Sequence, residues 1–228
     1  VYILNNIMDV EKNRNHPRKK NRPIASGRIK KSTAIWLMLC CLFGVLVISV
    51  WLKNYNASIF LLVYFGFNIV YSIEMKNRPI IDVIILAAGF VIRIIYGSLI
   101  TDIVISGWLY LVTVSGSLYM GLGKRRNELK NQNNTREVLK YYNVPFLDKN
   151  MYVFVSLTNV FYALWAMDFS DTRMIWTVPI FITILLLYSL DIESNSDGDP
   201  IEVIVHDKVL VMLIISYIIC IFLLRYIL

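Results

Sequence analysis

Apolar residues in this chain gather into long blocks separated by short polar stretches, and no strand-like alternation runs between them. Seven blocks stand out, at 33–52, 57–73, 80–100, 106–122, 150–167, 174–190 and 208–227. Each reaches or approaches the length at which a helix, rising about 1.5 Å per residue, crosses roughly 30 Å of hydrocarbon. The pattern predicts an all-α, polytopic membrane bundle with seven spans and argues against a large soluble helical bundle. Composition agrees: 57% of the residues are hydrophobic and 17% charged, whereas charged residues make up about a quarter of a typical soluble domain. The chain opens on Val1-Tyr2-Ile3-Leu4 and runs directly into a polar segment, so a preceding N-terminal portion is expected.

Charge orients the spans. Lys and Arg number nine in 11–31, two in 74–79, seven in 123–149 and one in 191–208. The connections between, with the C-terminus, hold Lys53, Arg173 and Arg225 alone. Basic residues concentrate in cytoplasmic loops, so the four polar segments are expected at the cytoplasmic face and the C-terminus outside. Topology and attraction to phosphates or anionic lipid heads account for the net charge of +7, and a nucleic-acid partner is not expected. Cys40, Cys41 and Cys220 lie inside spans without zinc-ligand spacing or an even disulfide set, and are read as packing residues.

Three polar segments carry candidate chemistry. In the first, Asn5 to Gly27, a helical start places Asn6, Asp9 and Asn13 at i, i+3 and i+7 on one face. There their oxygens suit Mg²⁺. Pro17 is expected to end that helix, and Lys19 and Arg22 to follow on a loop, as a metal-bound pyrophosphate requires. A solvated, positive-inside loop explains the same residues equally well. The second segment, Gly121 to Leu129, offers Lys124 and Arg125 to phosphates, or else a Lys124–Glu128 surface pair at i, i+4. After it, Val138, Leu139 and Tyr142 share one side of 135–143, predicting a short helix at the membrane surface. The third segment, Tyr188 to Lys208, is the acidic loop on a basic face and suits a second metal-binding cluster, with an exposed acidic turn as the plain alternative. Inside the spans, Asp82 and Arg93 lie about 16 Å apart along one helix. Each therefore needs a partner elsewhere, structural or functional.

The first segment resembles the opening signature of the UbiA superfamily of intramembrane prenyltransferases, Asn-Asp-x-x-Asp-x-x-x-Asp followed by Arg-Pro-x-x-Ser-Gly. Asn5, Asp9, Arg22, Pro23, Ser26 and Gly27 match it, while Asn6 and Asn13 stand where the family has aspartates. The family's second signature, Asp-x-x-x-Asp, is interrupted here, since Asp191 is followed by Asn195. Other details are similar to the decaprenyl-phosphate phosphoribosyltransferase branch: Asp9-Val10-Glu11, His16-Pro17-Arg18-Lys19, Gly123-Lys124-Arg125 with Glu128-Leu129, and Gly198-Asp199-Pro200 with Glu202 and Asp207. The resemblance runs along the whole chain. It implies a nine-helix fold with the first motif closing the second helix, so that 1–228 forms a single domain without its first one to two helices.

For function, the resemblance implies an Mg²⁺-dependent transferase in a prokaryotic cytoplasmic membrane, active at the cytoplasmic face. It would move phosphoribose from phosphoribosyl pyrophosphate to a polyprenyl phosphate, releasing pyrophosphate. Prenyl transfer from a prenyl diphosphate to an aromatic or lipophilic acceptor is the alternative, followed by a non-catalytic member or a transporter. The implied catalytic set is Asp9, Lys19, Arg22 and Lys124. Metal would fall to Asn6, Asp9, Asn13, Asp191 and Asp207, and substrate to Asn5, Glu11, Arg93, Tyr119, Arg125, Glu128, Asp199 and Glu202.

Overall fold

The structure, a computed structural model, describes residues 2–14, 19–51, 55–73, 75–131, 136–168, 172–194 and 200–226. Every regular element among them is helical. Two short helices open the chain, α1 (Tyr2–Met8) and α2 (Val10–Arg14). Seven long ones correspond to the seven apolar blocks: α3 (Lys31–Trp51), α4 (Tyr55–Ile73), α5 (Ile81–Thr101), α6 (Gly107–Lys130), α7 (Val144–Met167), α8 (Thr177–Glu193) and α10 (Lys208–Tyr226). The short α9 (Pro200–His206) precedes the last. Among the described residues, α3, α5, α8 and α10 are long and apolar enough throughout to cross a membrane, and α4 carries a shorter apolar run, Ser58–Ser72. α6 and α7 are more polar, because they bury Ser115, Ser117 and Thr158 and each carries charge at one end.

Local sequence sets the boundaries. Ser106 and Asn143 stand at the N-caps of α6 and α7, accepting from the backbone N–H groups of Leu109 and Phe146. Such caps satisfy donors that a helix start leaves open. Asp102 closes α5 in the left-handed region at φ 54°, a conformation Asp tolerates better than most residues.

The chain divides into two compact units. In the first, α1 packs on α3 and α4, which also touch one another. A small core forms where Val10, Ile24 and Ala34 meet Ile3, Ile7 and Ile29. Ile3, Ile7 and Val10 therefore make one apolar stripe at helical spacing, and the polar residues of the first segment take another face. In the second unit, α6 packs along α7, and α8 lies against α7 and α10. Small residues line the α6–α7 crossing: a Cβ at Gly116 would be in ordinary contact, 3.6 Å from the Thr158 methyl, beside a Thr158–Ser115 hydroxyl bond of 3.0 Å. Small residues at helix crossings are the usual device where lipid removes the hydrophobic drive for association. Where the pattern predicts a short helix over 135–143, the described residues form a 3₁₀ turn at Glu137–Tyr141, with Val138, Leu139 and Tyr142 buried and Glu137 and Lys140 exposed.

Candidate active site

The first polar segment lies in the first unit. The backbone breaks from regular helix at Asp9, yet the bonds Asp9 N–H to Asn5 O and Asn13 N–H to Asp9 O keep the helical phase. Asn6 and Asn13 consequently share a face, both 5% exposed, with Asn13 Nδ2 3.5 Å from Asn6 Oδ1. Arg22 is the third member: one guanidinium nitrogen donates to the same Asn6 Oδ1 at 2.9 Å, and the group stacks over the Tyr2 ring. Asn6 donates in turn to the Tyr2 carbonyl. Both lone pairs of Asn6 Oδ1 are therefore engaged, and this oxygen holds Arg22 in place.

The turn after Arg22 explains its placement. Ser26 N–H bonds to Arg22 O, and Ile29 N–H reaches Pro23 O. Gly27 sits at φ 78°, where a residue without Cβ carries no steric penalty. Arg14 bridges the helix to this turn, donating to Ala25 O at 3.2 Å, and it also meets Glu11 in an exposed pair at 3.3 Å. Asn5 Oδ1 accepts from the Ser72 hydroxyl of α4. Ser72 is a partner that sequence reading missed; a polar residue in the last turn of an apolar helix was its only signal. Lys19 opens a 3₁₀ turn, Lys19–Asn21, and its side chain, like His16, Pro17 and Arg18, lies outside the described residues. Further along the same unit, Asp82 is fully buried in the first turn of α5, and Arg93 donates from Nε to Tyr64 Oη at 3.1 Å. Tyr64, on α4, is the inter-helix partner that an intramembrane arginine requires.

The second and third segments lie in the second unit. α6 runs two turns past its apolar block, and Arg125 and Asn127 are nearly or fully buried there. The carboxylate of Glu128 pairs with Arg125 at 2.6 Å, i, i+3. Arg126 pairs with Asp148 of α7. Asn127 donates to the Ile192 carbonyl of α8 at 2.8 Å, and Gly123 lies so close to Ile192 that a Cβ would sit 2.9 Å from its Cδ1. These contacts clamp the C-terminal turn of α8, where Asp191 stands. Asp207 stands beside Asp191, and Asp191 Oδ2 is buried with no hydrogen-bond partner. Asp207 also caps α10, accepting from Val209 N–H at 2.7 Å. Glu202 is exposed on α9, and Asp199 lies outside the described residues.

Next to this acidic end is a cavity of about 380 Å³ lined by Val112, Gly116, Tyr119, Phe181, Leu185 and Tyr188, among others. Tyr119 is 1% exposed, bonds to Ser189 Oγ at 2.6 Å and packs edge-on against Tyr188. An apolar pocket beside carboxylates suits an amphipathic ligand with an anionic, metal-binding head.

Residues 1–204 match the model of the UbiA prenyltransferase family. The chain belongs to that family. This UbiA chain is 33% identical to the decaprenyl-phosphate phosphoribosyltransferase of Mycolicibacterium smegmatis over 234 residues, covering 96% of this chain and 73% of that one. The enzyme of the same name from Corynebacterium glutamicum is 30% identical, over 100% of this chain and 72% of the relative. A UbiA homolog from Archaeoglobus fulgidus, solved with GPP and Mg²⁺, superimposes with a TM-score of 0.72 at 18% identity, covering 95% of this chain and 80% of that one. The UbiA chain is thus an all-α integral membrane protein of a transferase family.

Each unit of the UbiA chain carries its own oxygen-donor set. Among the described residues no three His, Cys, Asp or Glu side chains converge. Mg²⁺ does not need such a cage, since it commonly takes one or two carboxylates, waters and substrate phosphate. Asp9 with Asn13, and the orphaned Asp191 oxygen with Asp207, fit that pattern. Asn6, committed to Arg22, fits it less well.

Proposed function

We propose that this chain transfers phosphoribose from phosphoribosyl pyrophosphate to a polyprenyl phosphate at the cytoplasmic face of a prokaryotic membrane. The observation that carries this reading is 33% identity over 96% of the chain to a decaprenyl-phosphate phosphoribosyltransferase. In the reaction a phosphate oxygen of the lipid attacks the anomeric carbon, the bond from that carbon to pyrophosphate breaks, and pyrophosphate leaves with the electron pair. The nucleophile is already an anion, so no general base is required.

Asp9 with Asn13 in the first unit, and Asp191 with Asp207 in the second, are each suited to hold Mg²⁺, which would offset charge on a departing pyrophosphate. Arg22, fixed by Asn6 and Tyr2, offers a planar fork to phosphate oxygens. Lys19 adds a second positive charge, and Asn5 and Glu11 belong to the same segment. In the second unit Lys124 contacts phosphate, while Arg125 and Glu128 keep its helix end rigid. Asp199 and Glu202 are assigned to substrate binding on the acidic side. Tyr119, on the wall of the apolar cavity, serves the apolar part of the substrate, and Arg93 is assigned to substrate binding as a cation within a span. Positioning and fixed charge supply most of the rate.

The second reading, prenyl transfer to a lipophilic acceptor, is favoured by the Archaeoglobus fulgidus homolog having been solved with GPP. Supplying phosphoribosyl pyrophosphate or a prenyl diphosphate as the sole pyrophosphate source separates the two. Release from phosphoribosyl pyrophosphate alone supports phosphoribosyl transfer; release from prenyl diphosphate alone moves the chain to the other reaction. In either case Asp9→Asn is expected to lower release at least 100-fold, and near-normal turnover would remove Asp9 from the site.

A further inference from the structure

The cavity of the second unit ends on a stack of aromatic rings. Its lining runs along α8 from Phe181 to Tyr188, about 10 Å at the helical rise, and along α6 from Val112 to Met120. Tyr119 and Tyr188 mark the end near Asp191, so Phe181 lies at the far end. Behind Phe181, the Tyr162 ring is stacked at 4.0 Å and 17°, and Tyr217 of α10 lies 6.0 Å from it. Tyr162 is itself pinned, 3% exposed and bonded through its hydroxyl to Thr177 Oγ1 at 2.6 Å. Three rings from α7, α8 and α10 thus pack together at this end, with Phe181 on the cavity wall and the other two behind it.

We infer that Phe181, backed by Tyr162 and Tyr217, is a specificity-determining floor that limits how much of an isoprenoid tail the protein encloses. The inference rests on the reading that the lipid substrate is an isoprenoid phosphate with its anionic head toward Asp191. At roughly 30 Å³ per heavy atom, taking liquid water as the guide, the 380 Å³ cavity holds about a dozen atoms, or two to three isoprene units. The remainder of a longer tail lies outside the cavity. In an apolar surround that remainder gains little from protein contact, so the floor sorts tails by fit and not by total length.

The test is photolabelling of the full chain in detergent with two- and three-unit prenyl phosphates bearing a terminal diazirine, followed by peptide mapping. The wild-type protein is expected to take label at Phe181 and Ile214 and none at Tyr162. In Phe181→Ala, labelling of Tyr162 and Tyr217 should rise at least tenfold. Phe181→Leu, which keeps an apolar floor and serves if the alanine variant fails to fold, should give a smaller rise of the same sign. Equal labelling of Tyr162 in wild type and variant, or label confined to residues outside the cavity, would overturn the floor. Phosphoribosyl transfer by the same preparations separates the two claims. Cavity labelling without transfer refutes the reaction and leaves the floor standing; transfer without cavity labelling does the reverse.

Discussion

Asn6 shows how one amide changes the job of a site. Its oxygen accepts from Arg22 and Asn13, so the asparagine positions a cation that phosphate can use. A hydrogen bond to a charged group contributes about 1.5–3 kcal/mol, and Asn6→Ala should therefore cost roughly 10- to 100-fold in kcat/KM. Asn6→Asp keeps the acceptor and should stay within about tenfold of wild type. Steady-state kinetics in phosphoribosyl pyrophosphate check both; wild-type rates in Asn6→Ala would show that Arg22 needs no support. At this scale the sequence was informative about residue types and less so about partners. The i, i+3, i+7 spacing put Asn6 and Asn13 together, but nothing in the spacing showed that Arg22 would reach back to Asn6. The pairing of Glu128 with the buried Arg125 likewise followed from burial, which spacing alone does not reveal.

Helices were the most legible level, because a membrane span must satisfy its backbone internally and be apolar for most of its length. α3, α5, α8 and α10 begin and end within a few residues of their apolar blocks. α6 departs most, running from a block expected to stop at 122 to Lys130. Its charged last turns stay helical because Arg125 meets Glu128, Arg126 meets Asp148 and Asn127 meets the end of α8. Those partners are 22 to 65 residues away in the case of Asp148 and Ile192, beyond what periodicity can see. The Asn127 bond is testable: Asn127→Ala leaves the Ile192 carbonyl buried without this donor, at a cost of about 1–3 kcal/mol. Thermal unfolding in detergent should fall by several degrees, with turnover reduced through the loosened Asp191 turn. An unchanged melting temperature would mean that α6 does not hold α8.

For the whole molecule, membrane orientation is the property that the charge pattern states most directly. Nineteen basic residues fall in the expected cytoplasmic segments and three in the opposite connections and C-terminus. With Cys40, Cys41 and Cys220 replaced, a membrane-impermeant maleimide on intact cells should modify Asp168→Cys and spare Asn131→Cys. The opposite pattern would invert the orientation and place the polar segments on the wrong side for a cytosolic phosphate donor. The reaction itself was legible only through motif resemblance, since oxygen donors beside cations suit either pyrophosphate-releasing chemistry.

The central claim is tested most directly by following ribose-labelled phosphoribosyl pyrophosphate into the organic phase. The full-length protein would be assayed in detergent with Mg²⁺ and a polyprenyl phosphate. Label should enter the lipid fraction with equimolar pyrophosphate release, only when both substrates are present, and stop on chelation. Label that stays in the aqueous phase, while a prenyl diphosphate and an aromatic acceptor yield pyrophosphate, would contradict the account.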